Sequence, residues 1–290
     1  MPNAKDADLT TYKRILVAGR TGTGKSTLIW TLPGRKFAYI FDPNAMSALA
    51  GCDLDYEHFL PDIESVDATL KGFNKGARSD RPARLVEPRL YNKWGDNINE
   101  KIDKGFFKNY DWLIFDSLTF FNKAVMDRQL YINNRYGGIE EIADYKVVGS
   151  KLAELFGSIA SLPINLFCTA HLQVYEDDKT KRIETHLYLP GRARVMLPLQ
   201  FTDIFLSTTG IGGTDSKKGV DETIYRLRTR PDPRGLQDIR TSIFGLETEE
   251  DVTIKDWNRP SAFGLGRLLS PQPKTARSAV SAGLKVEGAK

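Results

Sequence analysis

The chain has 290 residues, is 41% hydrophobic and 27% charged, and carries a net charge of +4, a balance ordinary for a soluble globular protein with one large domain or two small ones. No stretch approaches the roughly 18 uninterrupted apolar residues of a membrane span. Two cysteines, Cys52 and Cys168, without C-x-x-C spacing argue against a zinc site or a disulfide framework. The polar N-terminus lacks the apolar core of a signal peptide, so a reducing cytoplasm is the expected compartment.

Residues 1–12 read as a loose polar arm. Arg14-Ile-Leu-Val-Ala18 is a short buried-strand run, and it leads into Gly19-Arg20-Thr21-Gly22-Thr23-Gly24-Lys25-Ser26-Thr27. That is the G-x-x-x-x-G-K-[ST] pattern in its proper setting, between a strand and a helix opening at Lys25. Its glycines let successive backbone N–H groups turn inward on a polyphosphate, and the helix N-terminus adds a positive dipole end. Lys25 is placed for the β- and γ-phosphates, and the Ser26 hydroxyl for Mg²⁺. A glycine-rich turn that merely joins strand to helix explains the glycines but not Lys25-Ser26. Gly19 to Thr27 therefore predict binding of ATP or another nucleoside triphosphate with Mg²⁺.

Pro33-Gly34 stops the helix near Leu32. Lys36 to Phe41 is a second strand, ending at Asp42-Pro43-Asn44, so strand, helix and strand make a βαβ unit of a parallel sheet. Such sheets place ligand groups at strand C-terminal ends, which puts Asp42 at the edge that faces the phosphates. Between residues 45 and 110 the pattern is weaker. Ser65 to Phe73 suggests a helix, Arg84-Leu-Val-Glu87 a short strand, and Tyr91 to Lys108 a helix or excursion. The stretch 71–108 is rich in Lys and Arg, as is the end of the chain with Lys274, Arg277, Lys285 and Lys290. Either excess suits a solvated surface, and both suit a polyanion such as single-stranded DNA.

Tyr110-Asp-Trp-Leu-Ile-Phe-Asp116-Ser117 is an apolar strand tipped by a carboxylate, the pattern that holds the Mg²⁺ shell downstream of a phosphate loop. Leu118 to Tyr131 and Ile142 to Ile159 read as helices, with a loop at Asn133 to Gly138 between them. Ile164 to Ala170 is a further buried strand that delivers His171 at its tip, where a side chain is placed to sense a γ-phosphate. A lone histidine more often only satisfies local hydrogen bonds. Gln173 to Glu184 is a charged loop or hairpin, Pro190 to Arg194 turns into a helix, Phe201 to Leu206 is a strand, and Gly210 to Gly219 a glycine-rich turn. Glu222 to Arg230 alternates as a strand with Arg226, Arg228 and Arg230 on one face, which repel unless an anion lies there or the face is solvated. Ser242-Ile-Phe244 is the last strand expected.

The order of these parts resembles the RecA-fold ATPases, and more narrowly the phage-encoded RecA-like proteins of single-strand annealing and recombination. Gly19–Thr27, Leu113–Ser117, Thr169-Ala170-His171 and Leu189-Pro190-Gly191-Arg192 carry the resemblance, which spans about residues 13–245. It implies an α/β fold with a RecA-like core, a mostly parallel central sheet flanked by helices and a C-terminal antiparallel extension. The domain is expected over residues 13–265, with a basic, disordered tail at 266–290. It further implies an Mg²⁺-dependent ATPase that forms homo-oligomers, as ring or filament, and binds single-stranded DNA, with a phage single-strand DNA-binding protein as a further partner and the host cytoplasm as the compartment. Asp42 is the carboxylate nearest the family's water-activating glutamate, whose place Pro43 or its neighbour takes. His171 falls where the family links γ-phosphate to its DNA-binding loop, here Gln173–Glu184, whose Glu176-Asp177-Asp178 is unfavourable for phosphates. Arg228 and Arg230 resemble basic residues that reach a neighbouring subunit's ATP. A nucleotide-dependent protein-interaction switch with little turnover, or a small-substrate kinase, are the competing readings.

Overall fold

The structure is a computed structural model that describes residues 12–61, 87–176, 181, 183–189, 191–215, 220–231, 236 and 238–270. The N-terminal arm, the helix expected at Ser65–Phe73, most of the strand expected at 84–87 and the stretch 271–290 lie outside the described residues.

Strand β1 (Arg14–Gly19) sits inside the sheet, because its six residues are all buried and only an interior strand covers both faces. It pairs in parallel with β5 (Asn165–Glu176) on one side and β7 (Asp203–Asp215) on the other. Beyond β5 follow β4 (Trp112–Asp116), β2 (Lys36–Ile40) and the edge strand β3 (Asp55–His58), all parallel. Beyond β7 the sense reverses: β8 (Val220–Arg228) and β9 (Glu249–Asp251) are antiparallel. The sheet order is β3-β2-β4-β5-β1-β7-β8-β9, with β6 (Ile183–Leu187) pairing the outer part of β5 as a hairpin. This is the expected mostly parallel α/β core, with its antiparallel C-terminal strands.

Strand alternation sorts the side chains into two layers. Leu16 and Ala18, Phe37 and Tyr39, Leu113 and Phe115, and Leu166, Cys168 and Ala170 enter one core. Helices α2 (Leu90–Asp103), α3 (Leu118–Ile132) and α4 (Ile142–Ala160), with the short α5 (Gly191–Met196), cover that face. It is dense in aromatics: the Trp94 and Phe121 ring centroids lie 4.5 Å apart, and those of Phe41 and Phe121 4.9 Å. The opposite face carries Ile15 and Val17, Ala38 and Ile40, and Trp112 and Ile114, packed under the turn after the glycine loop and the short α1 (Ala45–Leu49). Arg14 ties the two ends of α4 and β5 to β1, donating to the carbonyls of Ala160, Leu162 and Ile164.

Several expectations change. The helix after the glycine loop is a six-residue 3-10 turn, Ser26–Thr31, before Pro33-Gly34 ends it. β3, four mostly polar residues, and α1, only five residues long, are too short for a period to show in the sequence pattern. Gly210 to Asp215 continues β7 instead of turning, with a register shift between Ile211 and Gly213. Ser242 to Phe244 is not a strand, because its chain is spent on Asp203: the Ser242 N–H and the Thr241 hydroxyl both donate to Oδ1 of that buried carboxylate. The last strand is β9. Order also runs past residue 265, in α6 (Gly264–Leu269), where Leu265 and Leu268 are fully buried against the glycine-loop face. Among the described residues no helix is long and apolar enough to cross a membrane, and Cys52 and Cys168 are both free.

Because α6 completes that core, Leu268→Ala should cost about 2–5 kcal/mol. Thermal unfolding would show this as a fall of about 2–4 °C in Tm for each kcal/mol in a domain of this size. A variant as stable as wild type would mean that α6 is not part of the folded unit.

Candidate functional site

The loop from Gly19 to Thr23 turns back sharply at the end of β1. A Cβ on Gly19 would lie 2.5 Å from Thr23 Oγ1 and 2.8 Å from the Ser207 carbonyl of β7, so only glycine fits. Gly24 has a φ of +81°, and a Cβ there would meet the Tyr225 ring of β8 at 2.8 Å. The loop is pinned from both sides: the Thr23 hydroxyl donates to the Arg20 carbonyl at 2.8 Å, and the Ser207 hydroxyl to the Thr23 carbonyl at 2.6 Å. Arg20, Thr21 and Gly22 are exposed at its rim, while Lys25 is only 7% exposed. Lys25 Nζ donates to the Arg20 carbonyl at 2.8 Å, across the mouth of the loop. Burial lowers the Lys25 pKa, and the charges of Asp116 and Asp42 oppose that. The first turn is a short 3-10 segment, so N–H groups of the loop and the Lys25 charge dominate over any helix dipole.

Three neighbouring strand tips converge on the loop. Register places Gly19 opposite His171, and Ile40 opposite Asp116. Alternation then sends Asp42, Asp116, Thr169 and His171 to the same face as the loop turn, since Ile40, Ile114 and Phe167, each two or four residues before them, pack there. The Asp42 N–H closes the convergence by donating to the Asp116 carbonyl at 3.1 Å.

Asp116 is the electrostatic centre. Its side chain is buried; Oδ1 accepts from the Thr169 hydroxyl, while Oδ2 has no hydrogen-bond partner. Burial pushes its pKa up, against the Thr169 and Ser26 hydroxyls and the Lys25 charge. The Ser26 hydroxyl favours the ionised form without closing a hydrogen bond of normal geometry to Oδ2. A buried, unpaired carboxylate oxygen facing a serine hydroxyl fits one divalent cation held between them. No group of three or more His, Cys, Asp or Glu side chains suited to a metal occurs among the described residues. The Ser26–Asp116 pair suits Mg²⁺, which takes one or two protein ligands and completes its shell with phosphate oxygens and water.

Asp42 and His171 form a second pair. His171 Nε2 stands 3.7 Å from Asp42 Oδ2, and the Asn44 N–H donates to Asp42 Oδ1 at 2.8 Å. His171 and then the Asn44 N–H, against burial, hold the Asp42 carboxyl below the usual carboxylate range, so it is ionised at neutral pH. The His171 N–H donates to Thr119 Oγ1 at 3.0 Å, and its ring meets Phe120 edge-on at 5.9 Å. His171 is not the end of its strand, as the sequence pattern suggests. β5 continues to Glu176, and His171 marks where it leaves the parallel sheet to pair with β6.

Arg228 and Arg230 are not brought to this cluster. Arg226 and Arg228 share the anion that the sequence pattern called for, and it is internal: Glu249 of β9 lies 3.6 Å from each guanidinium. Arg230 lies beyond the end of β8 and is exposed; its carbonyl accepts from Arg228 Nε at 3.2 Å. Sequence reading missed Thr169, Ser207 and Tyr225. Thr169 lay inside a quoted motif, two residues before His171, and its parity with Phe167 was the signal that could have found it. Ser207 and Tyr225 carry no local signal, because only the sheet order brings them under the loop.

The raised pKa of Asp116 has a thermodynamic sign. A carboxyl that holds its proton more tightly when folded destabilises the fold as pH rises through its unfolded value towards the folded one. Asp116→Asn keeps an acceptor for Thr169 and removes the buried charge. Its Tm without ligand should equal or exceed that of wild type, with the larger gain at neutral than at acid pH. The rise in Tm that Mg²⁺ and ATP give wild type should shrink. A variant several degrees less stable at neutral pH would mean that the carboxylate is a structural group.

No curated protein matches the chain. A family model described as the AAA domain matches residues 11–200, which include the glycine loop, Asp42, Asp116 and His171 and stop just before β7. That is well over half of the chain, which thus belongs to the AAA domain family of P-loop ATPases.

Proposed function

We propose that this protein binds ATP with Mg²⁺ and hydrolyses it, and that the γ-phosphate state is passed through His171 to the β5–β6 hairpin. The observation that supports this is the convergence of β1, β2, β4 and β5 on one face, which brings Lys25, Asp116 and the Asp42–His171 pair to the same end of the sheet. The loop N–H groups and Lys25 bind the polyphosphate. Ser26 and Asp116 would hold Mg²⁺, which would supply positive charge to neutralise the phosphates. Asp42, held ionised, is too weak a base to take a proton from water far in advance of the reaction. It orients the attacking water by accepting its hydrogen bond, which suffices for a loose phosphoryl-transfer transition state. His171 lies between Asp42 and the hairpin: the Tyr188 N–H, just after β6, donates to the His171 carbonyl at 2.8 Å. A change at the γ-phosphate therefore has a covalent and hydrogen-bonded route to β6.

The partner proposed for the hairpin is single-stranded DNA in phage recombination or annealing, as the RecA-like resemblance implies. Tyr175 and Val174 are about half exposed there, and an exposed aromatic is the usual platform for an unstacked base. Assembly into a homo-oligomer belongs to the same proposal; exposed Arg230 is free of the Glu249 contact that holds Arg228. One observation favours the second reading, a nucleotide-dependent switch with little turnover. Asp42 is already engaged by Asn44 and His171, and it is a shorter side chain than the family's glutamate.

Phosphate release from ATP, measured with and without single-stranded DNA at low salt, tests these readings together. Wild type should hydrolyse ATP and be stimulated by DNA, with binding that weakens steeply as salt rises. Lys25→Ala should abolish turnover, and Asp42→Asn should lower kcat by about 10- to 100-fold at little cost in ATP affinity. Full activity in Lys25→Ala would overturn the phosphate-loop assignment. A rate and an oligomer size indifferent to DNA would remove the DNA role and leave the switch.

A further inference from the structure

On the β8 side of the glycine loop lies an open, largely apolar groove. Thr23, Gly24 and Thr27 form its inner wall, so it is continuous with the phosphate loop. Its floor is Leu28 and Val252, and its outer walls are Tyr225, Ile254 and Trp257. None of the outer-wall residues falls within the stretch matched by the AAA domain model, which ends at residue 200. The walls are held in place by the fold. Tyr225 lies beneath Gly24 and its N–H donates to Thr253 Oγ1 at 2.9 Å, while the Val252 N–H donates to the Tyr225 carbonyl at 2.9 Å. Trp257 stands edge-on to Trp30, with ring centroids 5.3 Å apart, and Trp30 Nε1 is anchored on the Ala48 carbonyl at 2.8 Å. Even so, Trp257 is 55% exposed.

The geometry points to this groove as the seat of a purine base, the base of the triphosphate whose phosphates the loop holds. The inference rests on the phosphate-site reading above and extends it to the nucleoside. Sheet order gives the direction. The groups assigned to the γ end, Asp42, Asp116 and His171, belong to the tips of β2, β4 and β5, on one side of β1. A triphosphate whose terminal phosphate points that way must send its α-phosphate and nucleoside towards β7 and β8, on the other side. There the chain supplies an apolar floor with an aromatic wall from β8 and another from the segment after β9. A half-exposed indole fixed by a second ring is costly to leave in water, and it offers a flat face for stacking at little further entropy cost. Stacking favours a purine over a pyrimidine because the larger ring covers more of both walls.

Binding of three probes to full-length protein separates the contributions: Mg-ATP, Mg-CTP and Mg-tripolyphosphate, which carries the phosphates without a nucleoside. Wild type should bind Mg-ATP more tightly than either of the others. Trp257→Ala should weaken Mg-ATP by about fivefold or more, the effect of losing one base–aromatic stack. It should leave tripolyphosphate unchanged, and Trp257→Phe should restore most of the loss. Mg-ATP, but not tripolyphosphate, should also change the tryptophan fluorescence, and that change should vanish in Trp257→Phe. Equal weakening of ATP and tripolyphosphate in Trp257→Ala, no weakening of either, or equal affinity for Mg-ATP and Mg-CTP would overturn the base seat while leaving the phosphate site standing. Failure of wild type to bind tripolyphosphate and Mg-ATP alike would instead overturn the phosphate site, and the base seat with it.

Discussion

Everything in this molecule hangs on β1 being paired in parallel on both sides. Because its partners β5 and β7 run the same way, the end of β1 meets both in register: Gly19 lies opposite His171 in one direction and Ser207 in the other. The glycine loop is thus built where β1 ends while both its neighbours run on, β5 to Glu176 and β7 to Asp215. β7 lends a hydroxyl that fixes the Thr23 carbonyl, and β5 lends the histidine that reaches Asp42. A slip of one residue in either pairing would turn the whole set to the opposite layer, into the aromatic core around Trp94 and Phe121. The two-layer burial is therefore what specifies the site, and catalytic geometry and stability are the same constraint.

The site also holds charge that the fold does not neutralise by itself. Two carboxylates, Asp42 and Asp116, lie near one lysine, and each is tuned in the opposite direction. Asp42 is held below its ordinary range by His171 and the Asn44 N–H, and Asp116 is driven above it by burial. Two other buried carboxylates are fully satisfied. Asp203 receives three hydroxyls and a backbone N–H, and Asp144 receives Arg135, Asn133 and the Glu141 N–H. Unlike those two carboxylates, Asp116 keeps an unpartnered Oδ2 at its strand tip, beside the equally unpartnered Ser117 hydroxyl, and a cation there would resolve it.

What the sequence could show follows the range of the signals. The glycine loop, the strand ending in Asp116 and the helices from Leu118 and Ile142 are local patterns, legible because a buried parallel strand reads as a continuous apolar run and a helix as a 3.6-residue period. β3 is four mostly polar residues on an edge, and β9 three residues, too short for any period to appear. Gly210 to Gly219 read as a turn because glycine is the usual mark of one, yet pairing with β8 holds Gly210 to Asp215 extended. The sequence left the arginine face either to an anion or to solvent, and both occur: Arg226 and Arg228 meet Glu249, some twenty residues on and brought in only by the β8–β9 pairing, while Arg230 is exposed. Non-local pairing leaves no trace in a local window, and this is why the phosphate end of the site was legible and the opposite wall was not.

That asymmetry bears on how the chain is divided. The family domain, residues 11–200, contains every group assigned to phosphates and metal, and it stops before the first residue of β7. Yet Ser207 fixes the loop carbonyl, Tyr225 lies under Gly24, and Leu265 and Leu268 fill the layer beneath the loop turn, where the Leu265 N–H donates to Thr31 Oγ1 at 3.0 Å. The segment beyond the family domain is thus no appendage. It supplies half the walls that hold the glycine loop in shape, so the loop's competence to bind depends on residues that arrive last in the chain. A protein in which the phosphate groups come from one segment and their support from another can change what it does with the nucleotide by altering the second, while the first stays as it is.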